Sequence, residues 1–101
     1  MNERPKTIRV AEKLKQIRVG LDLSQNEMLE CMGLDEWYDR AYISQWETGK
    51  AEPPYIVVLR YAQAYSVSTD YLLNDALSLP PPPVERFDHY SPTRKHHPRF
   101  K

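Results

Sequence analysis

Between Asp39 and Lys50 the chain reads Asp-Arg-Ala-Tyr-Ile-Ser-Gln-Trp-Glu-Thr-Gly-Lys, and its Arg, Ser and Gln side chains have the chemistry to read DNA base edges. Arg pairs bidentately with guanine and Gln with adenine, Ser bonds to either, and the major groove admits one helix. A helix over about 39–48 places Ile43 and Trp46, three residues apart, on one face, with Arg40, Ala41, Ser44 and Gln45 pointing the other way. Asp39 is suited to cap its first turn, because its carboxylate can accept a free amide. Gly49 is suited to end it, since glycine tolerates the left-handed conformation. Taken alone, the segment is also explained as an ordinary amphipathic surface helix. The flanking segments narrow the choice.

Upstream, Thr7 is the candidate cap of a first helix with Val10 or Ala11, Leu14, Ile17 and Leu21 at helical spacing, and Gly20 and Asp22 bracket its end. Ser24 with Glu27 forms a capping-box pattern, predicting a second helix from about Gln25 to Met32 that Gly33 stops. That helix is expected to bury Met28, Met32 and Leu29. Leu34 to Tyr38 is a connector whose Trp37 and Tyr38 either pack over the second helix, the favoured reading, or reach the duplex or a partner. Downstream, Ala51 to Pro54 reads as a turn, with Pro54 suited to a helix's first turn. A fourth helix over about 55–65 should bury Leu59, Ala62 and Tyr65. Ser68 should cap a short fifth helix presenting Val67, Leu72 and Leu73 to the core.

Composition sets the outer limits. A chain of 101 residues supports one small domain with a modest core. Residues 1–79 carry nine Lys/Arg against twelve Asp/Glu, net −3, whereas 80–101 carry five against two, net +3. The four consecutive prolines Pro80 to Pro83 predict extended polyproline II. The His-, Arg- and Lys-rich remainder has too few large apolar residues to bury, which predicts a disordered tail over 80–101 after a helical domain at 7–79. No run is apolar enough for a membrane span or a signal peptide. Cys31 is the single cysteine, so no internal disulfide can form, which suits the cytoplasm. Its acidic neighbours Glu27 and Glu30 disfavour a thiolate, and it is expected to be inert and partly exposed.

Enzyme chemistry finds no support. No nucleophile–base constellation or paired catalytic carboxylates appear, and three glycines cannot build a phosphate-cradling loop. His89, His96 and His97 have no partners at ligand spacing in an ordered element, so neither a metal nor another cofactor is expected.

The order and spacing of several features resemble the phage repressor/Cro-type helix-turn-helix regulators, the XRE family. They are Leu14-x-x-Ile17-Arg18, Leu23-Ser24-Gln25-x-x-Met28, Met32-Gly33-Leu34 and Ile43-Ser44-x-Trp46-Glu47-x-Gly49-Lys50. Pro53, Leu59, Ala62 and Val67-Ser68-x-Asp70-x-Leu72-Leu73 continue the pattern, so that it covers about residues 9–74. One departure stands out: Gly33 and Ile43 are ten apart, about four residues more than the family pattern, placing Asp35 to Tyr38 as extra turn residues.

The resemblance implies an all-α, five-helix repressor-like domain whose third helix enters the major groove. It implies base contacts from Arg40, Ala41, Ser44 and Gln45, and DNA-backbone contacts from Gln25, Tyr42, Thr48 and Lys50. Arg18 and Glu47 match a pair that often forms a partly buried salt bridge. The expected function is sequence-specific binding of double-stranded DNA by a transcriptional regulator, a repressor, acting as a homodimer on a pseudo-palindromic site. With no sensing segment after residue 79, no small-molecule inducer is expected. The alternative is an antitoxin-like or adaptor protein that grips another protein through its tail or the Trp37-Tyr38 connector. The net acidic domain favours that alternative, since phosphate contacts supply much of DNA affinity.

Overall fold

Local capping signals divide the chain into helices, and the computed structural model, which describes residues 7–82, shows which of them act. The elements are α1 (Val10–Gly20), α2 (Gln25–Met32), α3 (Arg40–Thr48), α4 (Tyr55–Tyr65) and α5 (Asp70–Leu73), with no strand among the described residues. The fold is therefore all-α.

The ends of α2 are built by the expected residues. The Glu27 amide donates to Ser24 Oγ at 3.1 Å, and the Ser24 amide donates to Glu27 Oε1 at 2.8 Å. Gly33 closes the helix at φ 72°, in the left-handed region where a side chain would be strained. For α3, Asp39 Oδ1 accepts from the Ala41 amide at 3.0 Å, and Gly49 closes it at φ 82°.

Elsewhere the caps differ from expectation. Thr7 does not cap α1. Its N-cap is Arg9, which makes no side-chain cap bond, and the carboxylate of Asp75 takes the cap's place. Asp75 Oδ2 and Oδ1 accept from the amides of Ile8 and Arg9, each at 2.9 Å. Ser68 likewise yields to Thr69 as the N-cap of α5, and Pro54 is the N-cap of α4 and not a residue of its first turn. The Pro54 ring still suits the site, because the extended ψ of 155° leads into the helix without needing its missing amide.

The core is a single cluster drawn from all five helices, with Leu14, Ile17, Met28, Met32, Ile43, Val57, Tyr61 and Leu72 fully buried. Helix α1 packs chiefly on α3, and α2 packs on both α3 and α4. Ala62 and Tyr65 are buried as expected, but Leu59 is 40% exposed. The inward positions of α4 are instead Val57, Val58, Tyr61, Ala62, Ala64 and Tyr65, one helical face to which Leu59 does not belong. Leu73 is also largely exposed, and Val67 is only half-buried. Cys31 is fully buried on α2, not partly exposed, because Cys31 and Met28 lie three apart on the inner face.

The prolines after Leu79 do not leave the domain at once. Pro80 accepts a hydrogen bond from the Tyr65 hydroxyl at 2.7 Å, and Pro82 lies against Gly20 at the end of α1. A Cβ on Gly20 would stand 3.2 Å from Pro82 Cγ, so this close approach favours glycine. The expected tail is thus attached to the domain through residue 82. Residues 83–101, including His89, His96 and His97, lie outside the described residues.

Candidate nucleic-acid interface

The capping of α3 at Asp39 and Gly49 sets its rotation, and burial of Ile43, Trp46 and Glu47 sets which face turns outward. Arg40, Ala41, Ser44 and Gln45 are all exposed on the opposite face. With Thr48, Lys50 and, from the start of α2, Gln25, they line one shallow groove. Its charged side chains are Arg40 and Lys50, with no carboxylate among the lining residues. A domain that is net acidic over 7–82 therefore has a cationic groove where sequence reasoning placed the reading face.

The contributions within the groove differ. Gln25 is the first residue of α2, and the capping box on either side of it uses the amides of Ser24 and Glu27. The positive end of the helix dipole reinforces any anion held there. The Thr48 hydroxyl donates to the Ser44 carbonyl at 2.8 Å, so its hydrogen is committed to the helix, and donation to a phosphate would require exchanging that bond. Tyr42 does not line the groove. It is 45% exposed, and its ring meets Tyr38 edge-on at 5.0 Å and Trp46 at 5.9 Å.

The connector between α2 and α3 closes on itself. The amides of Trp37 and Tyr38 both donate to the Leu34 carbonyl, at 3.0 and 3.1 Å, making one tight turn of the extra residues. Tyr38 turns back onto α3, meeting Trp46 edge-on at 5.1 Å. It thus packs on the third helix, and not over the second as expected. Trp37 does not pack; it is 72% exposed.

Beneath the groove, Arg18 of α1 holds Glu47 of α3 bidentately, with Nε to Oε2 at 2.8 Å and Nη2 to Oε1 at 2.9 Å. Arg18 also donates through Nη1 to the Leu23 carbonyl at 3.0 Å, and the buried Tyr61 hydroxyl donates to Glu47 Oε2 at 3.2 Å. Hydrogen bonding to Glu47 raises the Arg18 guanidinium above its ordinary value. Burial, then the Glu47 charge, pushes the Tyr61 phenol far above its own. Both groups keep their protons at any physiological pH. The network thereby ties α1, α3 and α4 at one point and fixes the height of α3 above the core.

A family model described as a helix-turn-helix domain matches residues 11–78. The chain belongs to the helix-turn-helix family. The matched span of this helix-turn-helix domain contains every residue of the groove, from Gln25 to Lys50. The HTH-type transcriptional activator BcrR of Enterococcus faecalis is similar, at 35% identity over 63 residues. That alignment covers 62% of this chain and 29% of BcrR, so the chain spans less than a third of the length of the curated relative it matches. No solved structure matches the chain.

Three groups that hold the helix-turn-helix domain together were not anticipated. Lys13, a charged residue with no exposed surface, donates through Nζ to the carbonyls of Tyr71, Asn74 and Leu77 at 2.7, 2.9 and 2.7 Å. Burial, followed by the nearby Arg9 charge, lowers this ammonium from its ordinary value, while Asp75 and Glu12 oppose the shift. Asp75 caps α1 from just beyond α5. Arg60 donates to the Met32 carbonyl at the end of α2, where a cation also suits the helix dipole. A lysine on an otherwise apolar face was the one available signal; Asp75 and Arg60 have none, because their partners are remote in sequence.

Among the described residues, no helix is long and apolar enough to cross a membrane, and no group of three metal-ligating side chains occurs.

Proposed function

We propose that the chain is a sequence-specific, DNA-binding transcription regulator of the repressor/Cro type, reading the major groove with α3. The observation that carries the reading is the groove free of carboxylates, in which Arg40, Ala41, Ser44 and Gln45 stand beside Gln25, Thr48 and Lys50. Arg40, Ser44 and Gln45 would contact base edges, with Ala41 apposed to a thymine methyl. Gln25, Thr48 and Lys50 would contact phosphates and fix the register. Tyr42 would reach the backbone only at the groove's edge.

One such unit spans few base pairs, so a homodimer on a pseudo-palindromic site in the cytoplasm completes the reading. Repression needs only that the bound protein occlude a promoter. The similar Enterococcus protein is named an activator, and transcription from a reporter carrying the selected site, with and without the protein, decides the sign.

Selection from a random duplex pool, followed by binding at physiological salt, tests the proposal. A recovered consensus bound at least ~10³-fold more tightly than random duplex supports it. Equal affinity for all sequences overturns it. The exposed Trp37 favours a second reading, in which an antitoxin-like or adaptor protein acts mainly on another protein. That reading gains if selection recovers no consensus.

A further inference from the structure

Residues 75–82 run along α1 as an extended strap. At the start of α1 the Asp75 carboxylate accepts from the amides of Ile8 and Arg9, and the Arg9 guanidinium donates to the Asp75 carbonyl at 2.9 Å. One turn on, Lys13 Nζ donates to the Leu77 carbonyl at 2.7 Å. At the far end Pro82 lies against Gly20, the last residue of α1. Burial alternates on the way: Asp75, Leu77 and Leu79 are half-buried, whereas Ala76, Ser78 and Pro80 are exposed. A two-residue period is that of an extended chain pressed on one side, and Leu79 packs on the core. Ordering these residues along a helix costs entropy that a direct exit from α5 would not.

The strap meets the network beneath the groove through α4. Tyr61 and Tyr65 stand one turn apart on the buried face of that helix. The Tyr61 hydroxyl donates to Glu47 Oε2, and the Tyr65 hydroxyl donates to the Pro80 carbonyl. Glu47 and Pro80 to Pro82 line one hollow, together with Tyr65 and the side of α1 that ends at Gly20. The strap is therefore a wall of the space beside the Arg18–Glu47 pair. Taking that wall away admits water to a carboxylate whose side chain is only 3% exposed, and hydration weakens its charge-assisted bonds.

We propose that residues 75–82 act as a positioning strap for α3, anchored by Tyr65. Seated, the strap keeps the Arg18–Glu47–Tyr61 network dry and holds the end of α3 on α1 and α4. Released, it leaves that end to open locally while the rest of the core stays closed. Its bearing on DNA recognition rests on the proposed reading of α3; the coupling itself is measured without DNA.

Amide hydrogen exchange of the full chain, followed residue by residue, tests the coupling through two variants that release the strap differently. Tyr65→Phe keeps the ring and deletes the hydroxyl that holds Pro80. Gly20→Leu places a Cβ 3.2 Å from Pro82 Cγ and crowds the prolines off α1. Leucine is also the better helix former, so local propensity alone predicts slower exchange in that variant. Both variants should instead speed exchange at Glu47 and Thr48 about fivefold, the worth of one net hydrogen bond. Amides of α2, which contributes nothing to the hollow, should keep their rates. Unchanged exchange at the end of α3 overturns the proposal, and so does equal acceleration in α2, which would mark a uniform loss of stability. An effect of one variant without the other overturns it too, because both release the same strap. If the end of α3 responds as expected but no duplex is bound with preference, the reading of α3 fails and the coupling stands.

Discussion

Arg18 and Glu47 meet through two parallel hydrogen bonds of 2.8 and 2.9 Å, with side chains only 14% and 3% exposed. Breaking such a pair leaves an uncompensated charge in a dry site, and that penalty exceeds the net worth of the pair itself. Glu47→Ala should destabilise the domain by about 3 kcal/mol, at the lower end for buried pairs because Arg18 keeps some solvent. Urea denaturation should show the lower midpoint. A double replacement, Arg18→Met with Glu47→Leu, should recover only part of the loss, because the Leu23 carbonyl and the buried Tyr61 hydroxyl lose their partners.

Lys13 makes the second test. Its ammonium holds the carbonyl of Tyr71 within α5 and those of Asn74 and Leu77 just beyond it. Lys13→Met preserves the length and apolar stem but leaves those acceptors unpaired, at a cost of about 2–3 kcal/mol. Amide hydrogen exchange should accelerate first in 71–77, before the rest of the domain.

Asp75 predicts the pH dependence. The amides of Arg9 and then Ile8 hold its carboxyl below the ordinary 3.8. The folded state therefore binds this proton more weakly than the unfolded state. The resulting stabilisation is fully present above the unfolded value and is lost as pH falls through the lower, folded one. Asp75→Asn should lower Tm at neutral pH, and its deficit against the unmodified protein should shrink as pH falls below 3.8. A deficit that stays constant through that window would contradict the assignment.

Truncation separates two boundaries. Ending the chain at Leu79 removes the Pro80 acceptor of the buried Tyr65 hydroxyl and should cost about 1 kcal/mol. Ending it after Pro82 retains that bond and should leave Tm near the full-length value.

The proposed DNA contacts divide by how they fail. Gln45→Ala or Arg40→Ala should cost about 1–3 kcal/mol on the selected site and relax preference at one base position. Gln25→Ala should weaken binding to all sequences alike, because a phosphate contact carries no base information. If Gln45→Ala and Arg40→Ala change neither affinity nor preference, α3 is not the reader.

What the sequence determined by itself is what adjacent residues control. The ends of α2 and α3 depend on Ser24, Glu27, Gly33, Asp39 and Gly49, each acting within a few residues of itself, and all were legible. So was the outward face of α3, because the spacing of Ile43 and Trp46 leaves only one way for it to turn. The tertiary structure decided matters that depend on distant partners. Asp75 replaced Thr7 as the cap of α1 from 66 residues away, since an N-terminal amide takes whichever carboxylate the fold brings to it. Lys13 could be buried because the carbonyls at the end of α5 happen to converge there. Cys31 turned in and Leu59 out because packing on α3, α4 and α1 chooses one face among several apolar candidates. Trp37 was left in water for the same reason: of the two connector aromatics it is Tyr38 that packs against Trp46, within the tight turn at Leu34.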